Sequence, residues 1–83
     1  MLVMAPARRQ IDRRPVSVAA AVIETLGAIA SNPRRLGKPL RFELDGRFSA
    51  RRGPYRIVYR IDEQTRTVSV LAVAHRSDVY RTR

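Results

Sequence analysis

Between positions 46 and 60 the chain carries five arginines, Arg47, Arg51, Arg52, Arg56 and Arg60, with no acidic residue among them and with Phe48, Tyr55 and Tyr59 interleaved. Guanidinium forks bind phosphate bidentately and stack on bases, and aromatic rings add flat surface, so this pattern suits single-stranded RNA. Such a cluster can cleave RNA without a metal when arginines stabilise charge developing on the scissile phosphate and the ribose 2′-OH is the nucleophile. Acid and base roles then fall to a tyrosine, to His75 or to water. The plainer reading makes the three aromatics core residues, because strand alternation turns them inward. For the arginines, no carboxylate stands among them to pair with them locally, and a one-sided cluster repels itself unless an anion fills it. His75 reads either as a proton donor or as a satisfied residue at a strand end.

Other chemistries lack their residues. There is no cysteine and only one histidine, too few ligands for a structural zinc site. Neither a P-loop, a Gly-x-Ser-x-Gly elbow, an HExxH helix nor a paired Glu/His arrangement is present, so no cofactor is expected. The net charge of +10, from 17 Lys and Arg against 7 Asp and Glu, attracts polyanions. Nucleic acid is the first candidate partner and an acidic protein surface the second. The opening residues MLVMAPARRQ place their arginines after the short apolar run rather than before it, unlike a secretory signal, so a cytoplasmic protein is expected. Residues 16–32 are weakly hydrophobic and alanine-rich with Glu24 as their one charge, which disfavours a membrane span.

The elements that must position these residues follow from periodicity. A chain of 83 residues fits one modest domain, 1–83. Residues 7–14 read as a short basic helix, and Pro15 suits the first turn of a second helix over 16–30. On that helix Val16, Ala19, Ala20, Ile23 and Leu26 share one face, while Val18, Val22 and Ile29 widen the apolar surface. Asn32-Pro33 ends it. The connector contains Pro33, Gly37, Pro39 and Gly46, which argue against a long element, and Leu40 and Leu44 are expected to turn inward. Strands follow at 47–52, 55–62 and 67–74, the last two forming a hairpin. The expected architecture is α+β: two N-terminal helices on one face of a small antiparallel sheet of three to four strands, the opposite face exposed and basic.

Five segments together resemble toxins of the RelE/ParE superfamily in order and spacing. They are Asn32-Pro33-Arg34-Arg35-Leu36-Gly37-Lys38-Pro39-Leu40, Leu44-Asp45-Gly46, Ser49-Ala50-Arg51-Arg52-Gly53, Tyr55-Arg56-Ile57-Val58-Tyr59 and His75-Arg76-Ser77-Asp78-Val79-Tyr80. The resemblance implies the RelE-like microbial ribonuclease fold and a metal-independent messenger-RNA endoribonuclease that works in the ribosomal A site. It also implies a cognate RelB-like antitoxin and, through the antitoxin complex, operator DNA. Arg56 matches the family's phosphate-stabilising arginine, and Tyr80 its C-terminal tyrosine, implicated in activating the 2′-OH or orienting the base. Arg51, then Arg47 and Arg52, occupy the family's basic stretch, with Arg60 and Arg76 as further RNA contacts. Where well-known members carry another base at the end of the last strand, this chain has Ala74, leaving His75 or Arg76 to substitute. Members also open with a longer strand, whereas only residues 1–4 precede Ala5-Pro6, so the expectation is a truncated protein, a start assigned late, or an antitoxin that supplies the edge pairing. Two other readings remain: a ParE-like poison of DNA gyrase, and a degenerate toxin that only binds antitoxin and operator DNA.

Overall fold

The computed structural model describes residues 1–40 and 46–79, so Leu44 and Tyr80 lie outside the described residues. The chain runs β1 (Leu2–Val3), α1 (Ala5–Asp12), α2 (Val16–Ser31), α3 (Pro33–Leu36), β2 (Lys38–Pro39), β3 (Arg47–Arg52), β4 (Tyr55–Asp62), β5 (Thr67–His75) and α4 (Arg76–Val79). The sheet has five strands in the order β1-β5-β4-β3-β2, and the helices pack against it to give an α+β fold. Two features depart from the expected all-antiparallel sheet of three to four strands. An opening strand is present, pairing parallel to β5 through Leu2 opposite Ser69 and Val3 opposite Val70. At the other edge Lys38 and Pro39 pair with Ser49 and Phe48. Strands of two residues are too short to alternate visibly, and proline, which cannot donate to a ladder, is admitted at such an edge.

Helix α1 begins two residues earlier than the charge pattern suggested, because Pro6 fits a first turn that needs no amide donor. It buries Ala7 and Ile11, one turn apart, and Gln10 reaches the sheet, its Oε1 accepting the Val73 N–H at 2.7 Å. Pro15 precedes α2 instead of occupying its first turn. The buried stripe of α2 is Val22, Thr25, Leu26 and Ile29, with Val18 and Ala19 partly covered. The expected face is therefore rotated: Val16 and Ile23 are 86% and 57% exposed. A helix apolar around more than half its girth does not encode its own orientation, and the shape of the sheet chooses it.

The core joins Ala7, Ile11, Val22, Leu26 and Ile29 to Phe48, Ala50, Ile57, Tyr59, Val70 and Val73 of the sheet. Phe48 and Tyr59 are core residues, stacked with ring centroids 5.7 Å apart. The Tyr59 hydroxyl donates to the Pro33 carbonyl, fastening α3 to the sheet. Burial raises the Tyr59 pKa, and a backbone hydrogen bond from Gly37 offsets part of that rise. A raised folded-state pKa means the neutral phenol is favoured by folding, so its contribution is present below the unfolded value of about 10 and fades as pH climbs above it. Tyr59→Phe should cost about 1 kcal/mol near neutrality. It should also flatten the fall in urea midpoint that the unmodified protein shows between about pH 8 and about pH 11.

The β4–β5 ladder contains one irregularity. Tyr59 faces Val70, yet the next residue toward the other end, Val58, faces Ala72. Leu71 is an extra residue on β5, a bulge that reverses which β5 side chains point to which face beyond it.

Candidate nucleic-acid interface

Side-chain alternation builds the site. On β4, Ile57 and Tyr59 are buried under the helices, so Arg56, Val58 and Arg60 stand on the opposite, open face. On β3, buried Phe48 and Ala50 leave Arg47, Ser49 and Arg51 on that same face. Cross-strand register then sorts the arginines into two directly opposed pairs, Arg51 with Arg56 and Arg47 with Arg60. Ala74 lies on the other side of Arg56, and Ser69 on the other side of Arg60.

Like charges opposite one another across a ladder are destabilising, with Cβ atoms about 4.5–5.5 Å apart. Neither Arg51 nor Arg56 has an ion-pair partner among the described residues. Arg56 is half-buried and Arg51 exposed, so the pair presents two guanidinium groups toward solvent from a rigid strand pair. An anion placed between them would be held by both, and a phosphate matches their bidentate geometry.

Arg52 does not join this face. It points to the helix side, where its Nη1 lies 3.0 Å from Glu24 Oε1 and donates to Thr25 Oγ1 at 3.2 Å. The expectation that these arginines have no acid to neutralise them fails here, because Glu24 is remote in sequence and is brought in by α2. Arg47 and Arg60 also interact with other groups of the chain. His75, on the helix side of β5, packs edge-on against Tyr55 at 5.2 Å, and the Arg14 guanidinium lies 5.0 Å from the Tyr55 ring centre. The Ser77 N–H donates to His75 Nδ1 at 3.1 Å, and the Ser77 Oγ lies 2.9 Å from the same nitrogen. His75 is thus separated from Arg56 by the sheet. Arg76 is exposed at the start of α4, its N–H donating to the Pro54 carbonyl at 2.7 Å.

Ser49 and Ala72, which complete the open face between the arginine pairs, were not singled out by residue type. Their signal is indirect: Ser49 follows from alternation on β3, while Ala72 depends on the bulge. Among the described residues no three His, Cys, Asp or Glu side chains converge to hold a metal ion.

Comparison with known proteins agrees with the α+β architecture. The profile described as ParE toxin of type II toxin-antitoxin system, parDE, matches residues 5–80. The chain belongs to the RelE/ParE toxin superfamily. Two proteins of Mycobacterium tuberculosis are similar: Toxin RelG, 53% identical over 76 residues covering 90% of this chain and 87% of that one, and Toxin RelE, 48% identical over 80 residues covering 95% and 82%. A chain of the M. tuberculosis toxin-antitoxin complex RelBE2 superposes with a TM-score of 0.79 at 49% identity, over 89% of this chain and 93% of that one. The isolated Escherichia coli RelE toxin shares the fold, with a TM-score of 0.77 at 24% identity, over 95% and 87%. As a RelE-family toxin of a type II toxin-antitoxin system, the chain has no helix among its described residues that is long and apolar enough to cross a membrane.

Proposed function

We propose that this toxin is a ribosome-dependent endoribonuclease that cuts messenger RNA in the A site of translating ribosomes in the cytoplasm. The observation that carries the reading is the cross-strand pair Arg51–Arg56, two guanidinium groups held side by side on the open face without an acid among the described residues. In the reaction the 2′-oxygen of one ribose attacks the adjacent phosphorus and the 5′-oxygen of the next nucleotide departs. Negative charge grows on the non-bridging oxygens, where Arg56 and Arg51 stabilise it from fixed positions. Tyr80 matches the residue that activates the 2′-OH or orients the base, and Arg76 is a further candidate RNA contact, whereas His75 stands on the helix side of the sheet, away from the phosphate held by Arg56. The requirement for a 2′-OH confines cleavage to RNA. Arg47, Arg60 and, from the helix side, Arg52 add positive potential that steers the strand.

The partner that restrains it is a RelB-like antitoxin, since a solved relative at 49% identity is part of a RelBE2 toxin-antitoxin complex. An acidic, amphipathic antitoxin segment would neutralise the charge of +10, and the pair together would reach operator DNA. Inducing the toxin and mapping messenger ends should reveal cuts within translated codons, suppressed by coexpressed antitoxin. Growth arrest with intact messengers would remove the reading. A gyrase-directed activity is the second possibility, favoured by the ParE description of the matching profile. It predicts loss of supercoiling by purified gyrase in the presence of the toxin.

A further inference from the structure

The open face holds more than the arginine pair assigned to the scissile phosphate, and the bulge at Leu71 shapes the rest. A regular ladder continued from Tyr59 opposite Val70 would place Leu71 opposite Val58 and Val73 opposite Arg56. With the bulge, Ala72 and Ala74 take those positions, and Val73 turns inward to full burial. One branched side chain opposite Val58 and one opposite Arg56 are thus exchanged for two methyl groups. On the other flank of Val58 stands Ser49, also small. A low strip of Ser49, Val58 and Ala72 therefore crosses the sheet between the row Arg51, Arg56, Ala74 and the row Arg47, Arg60, Ser69. The two arginine rows are four residues apart on β3, about 13 Å at ~3.3 Å per residue. That is close to twice the phosphate repeat of an extended single strand.

We infer that the strip is a nucleotide seat and that Arg47 and Arg60 grip a second phosphate two linkages from the one that is cleaved. The RNA strand runs along β3 and β4, with phosphates at both arginine pairs and the two nucleosides and one phosphate between them lying over Ser49, Val58 and Ala72. Ala74 then has a role of its own. It leaves beside Arg56 a space that the basic side chain carried there by well-known members would fill. The inference rests on the endoribonuclease reading and specifies how much RNA the toxin holds and where.

The test uses ribosomes programmed with messengers that carry one neutral methylphosphonate linkage, placed two linkages to the 5′ or to the 3′ side of the cut. Single-turnover cleavage should slow about tenfold for one of these placements, as expected for losing a charge-assisted contact. Arg47→Ala and Arg60→Ala should slow the ordinary messenger similarly yet show no further loss on that substituted messenger. Ala72→Leu should slow cleavage with an unchanged melting temperature. If Ala72→Leu fails to fold, the methylphosphonate coupling decides alone. Additive losses in Arg47→Ala and Arg60→Ala, or no methylphosphonate effect at either position, would overturn the second grip. Absence of cleavage by the unmodified toxin would instead overturn the endoribonuclease reading on which the inference rests.

Discussion

Arg56→Ala should abolish messenger cleavage and growth arrest while leaving the protein folded and slightly more stable. Removing one preorganised donor from developing transition-state charge costs roughly 10²- to 10³-fold in rate. Arg56 is half-buried on a strand paired on both sides, so its backbone is held in the middle of the sheet. Stability should move the other way. Arg51 stands directly opposite, and deleting one of two like charges across a ladder relieves roughly 0.2–1 kcal/mol of repulsion. A urea midpoint that rises while the cleavage rate collapses is the signature of a residue kept for function against the interest of the fold. Arg56→Lys should recover only part of the rate, since an ammonium offers a point charge without the planar fork. Single-turnover cleavage and urea unfolding on the same preparations check both halves. Retained arrest by Arg56→Ala would remove the phosphate role from this residue.

How much of this was legible beforehand differs between elements for physical reasons. Strand β4 was readable to the residue, because Tyr55, Ile57, Tyr59 and Ile61 alternate strictly with Arg56, Val58, Arg60 and Asp62. The same alternation located Arg56 on the open face. It also implies that Arg52, in phase with Phe48 and Ala50, faces the helices, although the basic run Arg51-Arg52 invites treating both alike. The pairing of Arg52 with Glu24 could not be read at all, since it depends on how α2 is turned about its axis. Nor could the bulge: residues 70–74, Val-Leu-Ala-Val-Ala, are all apolar, so no alternation marks where the register slips. The placement of His75 on the far side of the sheet from Arg56 is a direct result of that slip. Roles carried by the family pattern, those of Arg56 and Tyr80 above all, came from residue order rather than from periodicity.

Gly46→Val should come near to unfolding the protein, whereas Gly53→Ala should be mild, although both glycines have positive φ. Gly46 has φ of 83° at the entrance to β3, and its carbonyl accepts the Ile61 N–H at 3.0 Å. A Cβ built there meets the Ile61 carbonyl oxygen at 2.7 Å, a backbone atom held in the sheet that cannot retreat without opening the β3–β4 ladder. Left-handed backbone strain of about 1–2 kcal/mol then adds to an overpacking term of about 1–3 kcal/mol. A branched side chain puts the sum toward the upper end. For a chain of this length the whole stability is only about 4–12 kcal/mol. The melting temperature should fall by roughly 15–40 °C. Gly53 has φ of 58° in the β3–β4 turn, but a Cβ there meets nothing within 4 Å. Its replacement by alanine carries the backbone term alone, about 1 kcal/mol, and Gly53→Asn less, since asparagine tolerates this conformation. Thermal unfolding by circular dichroism measures all three. Equal losses at the two sites would mean that backbone strain, and not the contact with Ile61, governs the entrance to β3, the strand that carries Arg47 and Arg51.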